Sequence, residues 1–266
     1  MGDAHARGNA RTLLAGAGAA TLLAILGVMG IVRGERSPPL RLAPSPRAPR
    51  EFRDAGELLR ILALPSPAPA EVNAFLAEGR YACDALLSWL RSAPLPHTAL
   101  DCAARLPLDP AAVAAAAADP TRPAEARRSA YHLLGKIPGA AARLELGRAL
   151  LVEQEFIPAF GAIEAAGRTR DPILGPFLRE RLMRHPPRQL LGPLCLAVAD
   201  VGCRDALPLL EAILLDPGVG AAQLLPALDA LRRLDAERAR ELARDLMRER
   251  ADLPAQLRER IDEAVR

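Results

Sequence analysis

The chain has 266 residues, 50% of them hydrophobic and only 3% aromatic, with 35 Lys+Arg against 32 Asp+Glu for a net charge of +3. With so few rings, the stacking platforms on which proteins hold single-stranded nucleic acid are scarce. Nine Arg against five acids lie in residues 1–60, which leaves the remainder at −1 and without the basic footprint of a nucleic-acid binder.

The N-terminal tail, residues 1–11, ends at Arg11. Residues 12–32, TLLAGAGAATLLAILGVMGIV, carry no charge and are closed by Arg33. Twenty-one apolar residues are enough to span a hydrocarbon core of about 30 Å as a helix. The expectation is a single transmembrane helix or signal anchor, with a cleaved signal peptide as the competitor. The arginines after the segment outnumber those before it, which by the positive-inside rule puts the C-terminal part in the cytoplasm. A short basic tail before a Gly/Ala/Leu core has instead the look of a bacterial export signal, and long domains translocate largely regardless of charge. The favoured expectation is a single-pass protein of a bacterial inner membrane with its folded part in the periplasm. Lys136 as the sole lysine beside 34 arginines fits GC-rich bacterial coding.

Residues 33–50 contain SPPLRLAPSPRAPR, a Pro/Arg-rich linker of extended, semi-rigid character. Helical patterning begins at residue 51. Phe52, Leu58, Leu59 and Leu62 form one stripe, and Pro65–Pro69 ends it. A helix over 70–92, a shorter one over 99–106 and the alanine run 111–118 follow. Residues 51–119 read as degenerate helical repeats or an N-terminal cap, and the alanine run as a strong helix former with little to bury.

From residue 120 a pattern recurs. Gly135, Gly167, Gly202 and Asp235 each follow an apolar helical stripe, at steps of 32, 35 and 33 residues. The stripes include Ala130, Leu133 and Leu134; Phe160 and Ile163; Leu194, Val198 and Val201; Leu228, Leu231 and Leu234. Second runs follow the turns, such as Ile173, Phe177 and Leu178, or Leu207, Leu210 and Leu214, in the spacing of amphipathic helices. The aligned glycines are expected at left-handed helix ends, with Asp235 able to take that conformation at some cost. Asp119-Pro120, Asp171-Pro172 and Asp216-Pro217 mark element boundaries. No run alternates as a half-buried strand does. The fold class expected is therefore all-α, an α-α superhelix over 120–266 whose last helices, laced with Arg and Glu, cap it.

Val198–Pro217, VADVGCRDALPLLEAILLDP, resembles a HEAT repeat, including the bacterial HEAT-like type. Three weaker copies extend the resemblance to about residues 120–246. The resemblance implies a non-enzymatic scaffold for protein–protein interaction, here membrane-tethered and a component of an envelope complex, with no cofactor. Its concave surface would be lined by the second helices of successive repeats. Candidate contacts on those helices and turns are Arg168, Arg170, Arg204, Asp205, Arg232 and Arg233. Some bacterial HEAT-like proteins are similar to bilin lyases, so the alternative is a bilin lyase-type enzyme or a chromophore-protein chaperone; no catalytic residue carries over.

Chemical motifs are sparse. The four histidines, His5, His97, His132 and His185, pair with no second ligand at helical spacing, and no phosphate-binding glycine loop or nucleophile elbow is present. The four cysteines form two local pairs, Cys83 with Cys102 and Cys195 with Cys203. Each pair sits on adjacent helices and could close a disulfide in an oxidising compartment, or serve as small buried hydrophobes.

Overall fold

The computed structural model describes residues 68–249, 253 and 255–265, all within the compact unit 48–266. The apolar segment 12–32, the linker and the stripe at 52–64 lie outside the described residues. Among those described there are thirteen α-helices, two 3-10 turns and no strand, so this part of the chain is all-α. None of these helices is long and apolar enough to cross a membrane.

The first helices are α1 (Pro69–Ala77), α2 (Arg80–Trp89), α3 (His97–Ala103) and α4 (Pro110–Ala118). Then come α5 (Ala124–Lys136), α6 (Ala140–Val152), α7 (Phe156–Thr169), α8 (Gly175–Met183) and α9 (Arg188–Asp200). The last are α10 (Leu207–Leu215), α11 (Ala221–Leu234), α12 (Ala236–Glu249) and α13 (Ala255–Val265). From α5 on, the odd-numbered helices up to α11 begin every 32 or 33 residues. They form one layer: α3, α5, α7, α9, α11 and α13 each pack on the next. In the second layer α2, α4, α6 and α8 do likewise, as do α10 and α12. This arrangement is compatible with an α-solenoid. It runs without a break through residue 119, because α4 packs on both α5 and α6. The alanine run is accordingly not idle: Val113, Ala116 and Ala117 are buried, small side chains that let α4 lie close.

Local chemistry explains the boundaries. A single helix over 70–92 is interrupted at Gly79, whose φ of 54° admits glycine readily. Asp109 caps α4 by accepting from the Ala111 N–H at 3.0 Å, with Pro110 at the first helical position. The other three Asp-Pro aspartates likewise fold their carboxylates onto an N–H two residues on: Asp119 to Thr121, Asp171 to Ile173 and Asp216 to Gly218.

Of the four aligned turn positions, only Gly202 is left-handed, at φ 72°. It closes α9 with the paired bonds of a Schellman motif, Cys203 N–H to the Val198 carbonyl and Gly202 N–H to the Ala199 carbonyl, both 3.0 Å. Gly135 and Gly167 lie inside α5 and α7 and serve close packing: a Cβ at Gly135 would stand 3.0 Å from that of Ala165, and one at Gly167 3.2 Å from the Ala197 Cα. The left-handed residue ending α7 is Arg170, at φ 52°. Asp235 is extended at φ −152° and caps α12, accepting from the Arg238 N–H.

Arginines fasten neighbouring helices, both between the layers and within the second one, by donating to carbonyls at helix ends, where the helix dipole favours a cation. Arg127 reaches the Ala117 carbonyl at 2.9 Å, Arg143 those of Gly135 and Ile137, Arg181 that of Glu153 at 2.8 Å, and Arg184 that of Leu151.

Candidate functional site

Among the described residues, a slot opens in the odd-helix layer between α7 and α9. Phe160, Ile163, Glu164, Gly167 and Arg168 share one face of α7, and Pro193, Leu196, Ala197 and Asp200 share one face of α9. Both sets follow the three-and-four spacing that puts residues on one helical stripe. Gly167 lets the helices approach there, since a Cβ would stand 3.2 Å from Asp200 Oδ2 as well as from Ala197. The slot encloses about 240 Å³, less than the roughly 300–1,000 Å³ typical of cofactor and substrate sites. Its floor is apolar: Ile163 and Ala197 are buried, while Phe160, Pro193 and Leu196 are half-buried.

One end is aromatic. Phe160 stacks on Phe156 at a centroid distance of 6.2 Å, and Phe156 remains 49% exposed. The Arg128 guanidinium lies 5.2 Å from the Phe160 centroid, a cation–π contact. Gly161 makes room for it, because a Cβ there would come within 2.6 Å of Arg128 Cγ.

The other end is ionic. Glu164 accepts from Arg128 at 2.9 Å and from Arg168 at 3.3 Å, with His132 Nε2 3.4 Å away. Arg168 also stands 3.2 Å from His132 Nδ1. On the opposite wall Asp200 accepts from Arg233 at 2.9 Å; Arg233 also holds Asp229 at 2.7 Å, which Arg232 meets at 2.9 Å.

The sequence reading is corrected on one point of placement. The expected contacts do not lie on second helices: Arg168 belongs to α7, Arg232 and Arg233 to α11, all in the first-helix layer, because each sits in the last turn of its helix, before the chain crosses to the second layer. Arg170 ends α7, and Arg204 and Asp205 occupy the 3-10 turn before α10, where the Asp205 carbonyl accepts from Arg179 at 3.2 Å. The structure thus brings Arg168, and Arg233 through Asp200, to the slot. Arg232 reaches only Asp229, and Arg170, Arg204 and Asp205 stand at the turns just past the slot's ionic end.

Sequence reasoning missed a buried polar cluster. Arg127 of α5 pairs with Glu153 and Glu155 in the loop after α6, and the Tyr131 hydroxyl donates to Glu153 at 2.9 Å. Glu180 and Arg181 of α8 complete it, with Arg184 donating to Glu180 at 3.0 Å. Burial first, and then the Glu153 charge, holds the Tyr131 phenol well above its ordinary range. Burial and the neighbouring Arg184 lower Arg181. Arg127, Tyr131 and Glu153 hold one another and Arg181 donates to the Glu153 carbonyl, so the cluster ties α5, the loop after α6 and α8 together as a structural joint. Its signal in the sequence was the Glu-x-Glu spacing at 153 and 155, indistinguishable there from a solvated loop.

All four cysteines are free thiols in the structure. Cys203 Sγ faces the Gly175 carbonyl of α8 at 3.5 Å, whereas Cys195 is enclosed within α9, where burial pushes its thiol up to about 12. Burial also raises Cys83 and Cys102. Among the described residues no group of three or more His, Cys, Asp or Glu side chains is arranged to hold a metal ion. No protein-family profile matches the chain, and no curated protein does.

Proposed function

We propose that this chain is a HEAT-like scaffold, tethered to a bacterial inner membrane by residues 12–32, that holds a protein partner without performing chemistry of its own. The observation that carries the reading is the slot between α7 and α9, apolar along its floor, aromatic at one end and bordered by committed ion pairs at the other. Such a shape desolvates an inserted side chain while its charged rim excludes water, the arrangement of an interface anchor site. The two-layer stacking supports the HEAT-like reading, since such repeats cannot bury their apolar faces singly and present long continuous surfaces when joined.

The test is crosslinking on intact membranes followed by mass spectrometry, comparing the full chain with a variant whose slot is filled, Leu196→Arg. A partner enriched by the first and reduced by the second supports the scaffold. Equal recovery by both, or no protein enriched over an unrelated membrane-anchored control, overturns it. A C-terminal reporter active only in the periplasm or only in the cytoplasm reads the orientation, with periplasmic activity expected.

A further inference from the structure

We infer that the slot takes a peptide segment of the partner in which one large apolar side chain is followed, toward the turn end, by carboxylates. This rests on the scaffold reading and gives the partner a chemistry. From Phe160 to Arg168 the slot follows α7 for about 12 Å at 1.5 Å per residue, the reach of three or four residues of extended chain at about 3.3 Å each. That length and a volume of about 240 Å³ accommodate one anchor side chain and its neighbours, not a whole packed helix face.

The direction of the charge comes from an inequality between acids and bases where the slot ends. Along its walls every acid is engaged: Glu164 holds Arg128 and Arg168, and Asp200 holds Arg233. Past the end of α7, two residues beyond Arg168, comes Arg170; past the end of α9, four residues beyond Asp200, comes Arg204. Both are exposed, and neither forms an ion pair among the described residues. Of the acids beside them, Asp171 is taken by Arg143 and by the Ile173 N–H, which leaves Asp205 alone against two guanidiniums. The Arg168 side chain, 62% exposed above its single 3.3 Å partner carboxylate, adds a third within reach. A basic segment arriving here meets cations whose acids are occupied. An acidic segment finds planar donor forks that suit carboxylates. The aromatic end, with Phe156 and Phe160, sets the entry for the apolar part.

The test is selection of a random dodecapeptide library displayed on phage against the full-length chain in detergent. The enriched peptides are expected to share one Leu, Ile, Phe or Trp with at least two Asp or Glu on one side of it. A synthetic peptide of the leading sequence is expected to bind at least tenfold more weakly to the triple variant Arg168→Glu, Arg170→Glu, Arg204→Glu, and its Lys-for-Glu counterpart to gain. These three positions are exposed or solvent-facing, so the triple variant keeps its fold, checked by circular dichroism; Leu196→Arg supplies the second arm and is expected to abolish binding. No enrichment, enriched peptides that are neutral or basic, or binding indifferent to the triple variant each overturns the inference. Neutral peptides that still require an open slot would overturn the charge rule alone and leave the scaffold standing, whereas the scaffold itself falls with the membrane crosslinking result.

Discussion

Replacing Arg127 by Met tests whether the buried cluster is a joint between helix pairs. The residue is 5% exposed and serves three acceptors: the Ala117 carbonyl at the end of α4, Glu153 and Glu155. Methionine fills much of the volume, so the packing loss is small. The cost lies in what is left behind. Glu153, 8% exposed, would keep only the Tyr131 hydroxyl and its own loop N–H contact to Glu155 as donors to a buried carboxylate. Removing one partner of a buried ion pair costs about 3–5 kcal/mol, and the unsatisfied Ala117 carbonyl falls within that figure at about 1–3 kcal/mol. Glu155, with its side chain 53% exposed, adds little. Pairing Arg127→Met with Glu153→Gln removes the stranded charge, so the double variant is expected to be more stable than the sum of the two singles by about 1–3 kcal/mol. Urea unfolding followed by far-ultraviolet circular dichroism at pH 7 gives all four corners of the cycle. A loss below about 1 kcal/mol for Arg127→Met, or strictly additive losses in the double variant, refutes the joint.

Asp119 is held at about 2 by hydrogen bonds from Thr121 and then Arg122, below its ordinary 3.8. A depressed carboxylate stabilises the fold above the unfolded value and loses that contribution as pH falls through the folded one, so Asp119→Asn is expected to melt below the parent at pH 7 and level with it near pH 2, which thermal melts across that range would check. Gly147→Ala places a Cβ 2.7 Å from the Phe177 ring; overpacking of about 1–3 kcal/mol outweighs the gain of up to about 1 kcal/mol in helix propensity, and a raised urea midpoint would contradict this. Without reductant, four thiols are expected to react with Ellman's reagent in guanidinium, and in the native protein the half-buried Cys203 first and Cys195 last; fewer than four in denaturant would establish a disulfide.

The helical periodicity was legible because helix faces leave a three-and-four pattern of apolar residues, and α5 to α12 follow it closely. The glycines were misread for a physical reason. A glycine that ends a helix and one that lets two helices touch look alike in a single sequence, and only the neighbouring helix distinguishes Gly202 from Gly135 and Gly167. The same limit hid the slot. Phe160 and Ile163 read as ordinary core, and Leu196 and Ala197 fell outside the stripe of their helix, because nothing local reveals that the face these four share is left partly open. The Arg127–Glu153 joint was invisible in turn because its partners are 26 residues apart and each, taken alone, reads as a surface charge.

The arginine bonds to helix-end carbonyls have a consequence for how such a chain can change over time. In an ion pair both partners are specified by side chains, so drift at either position breaks it. In the bonds from Arg127 to Ala117, Arg143 to Gly135 and Ile137, Arg181 to Glu153 and Arg184 to Leu151, the acceptor is main chain. Any residue that keeps the helix end in place supplies the same oxygen. Half of each bond is therefore free of sequence, and neighbouring units can diverge in composition while remaining fastened by a single retained arginine.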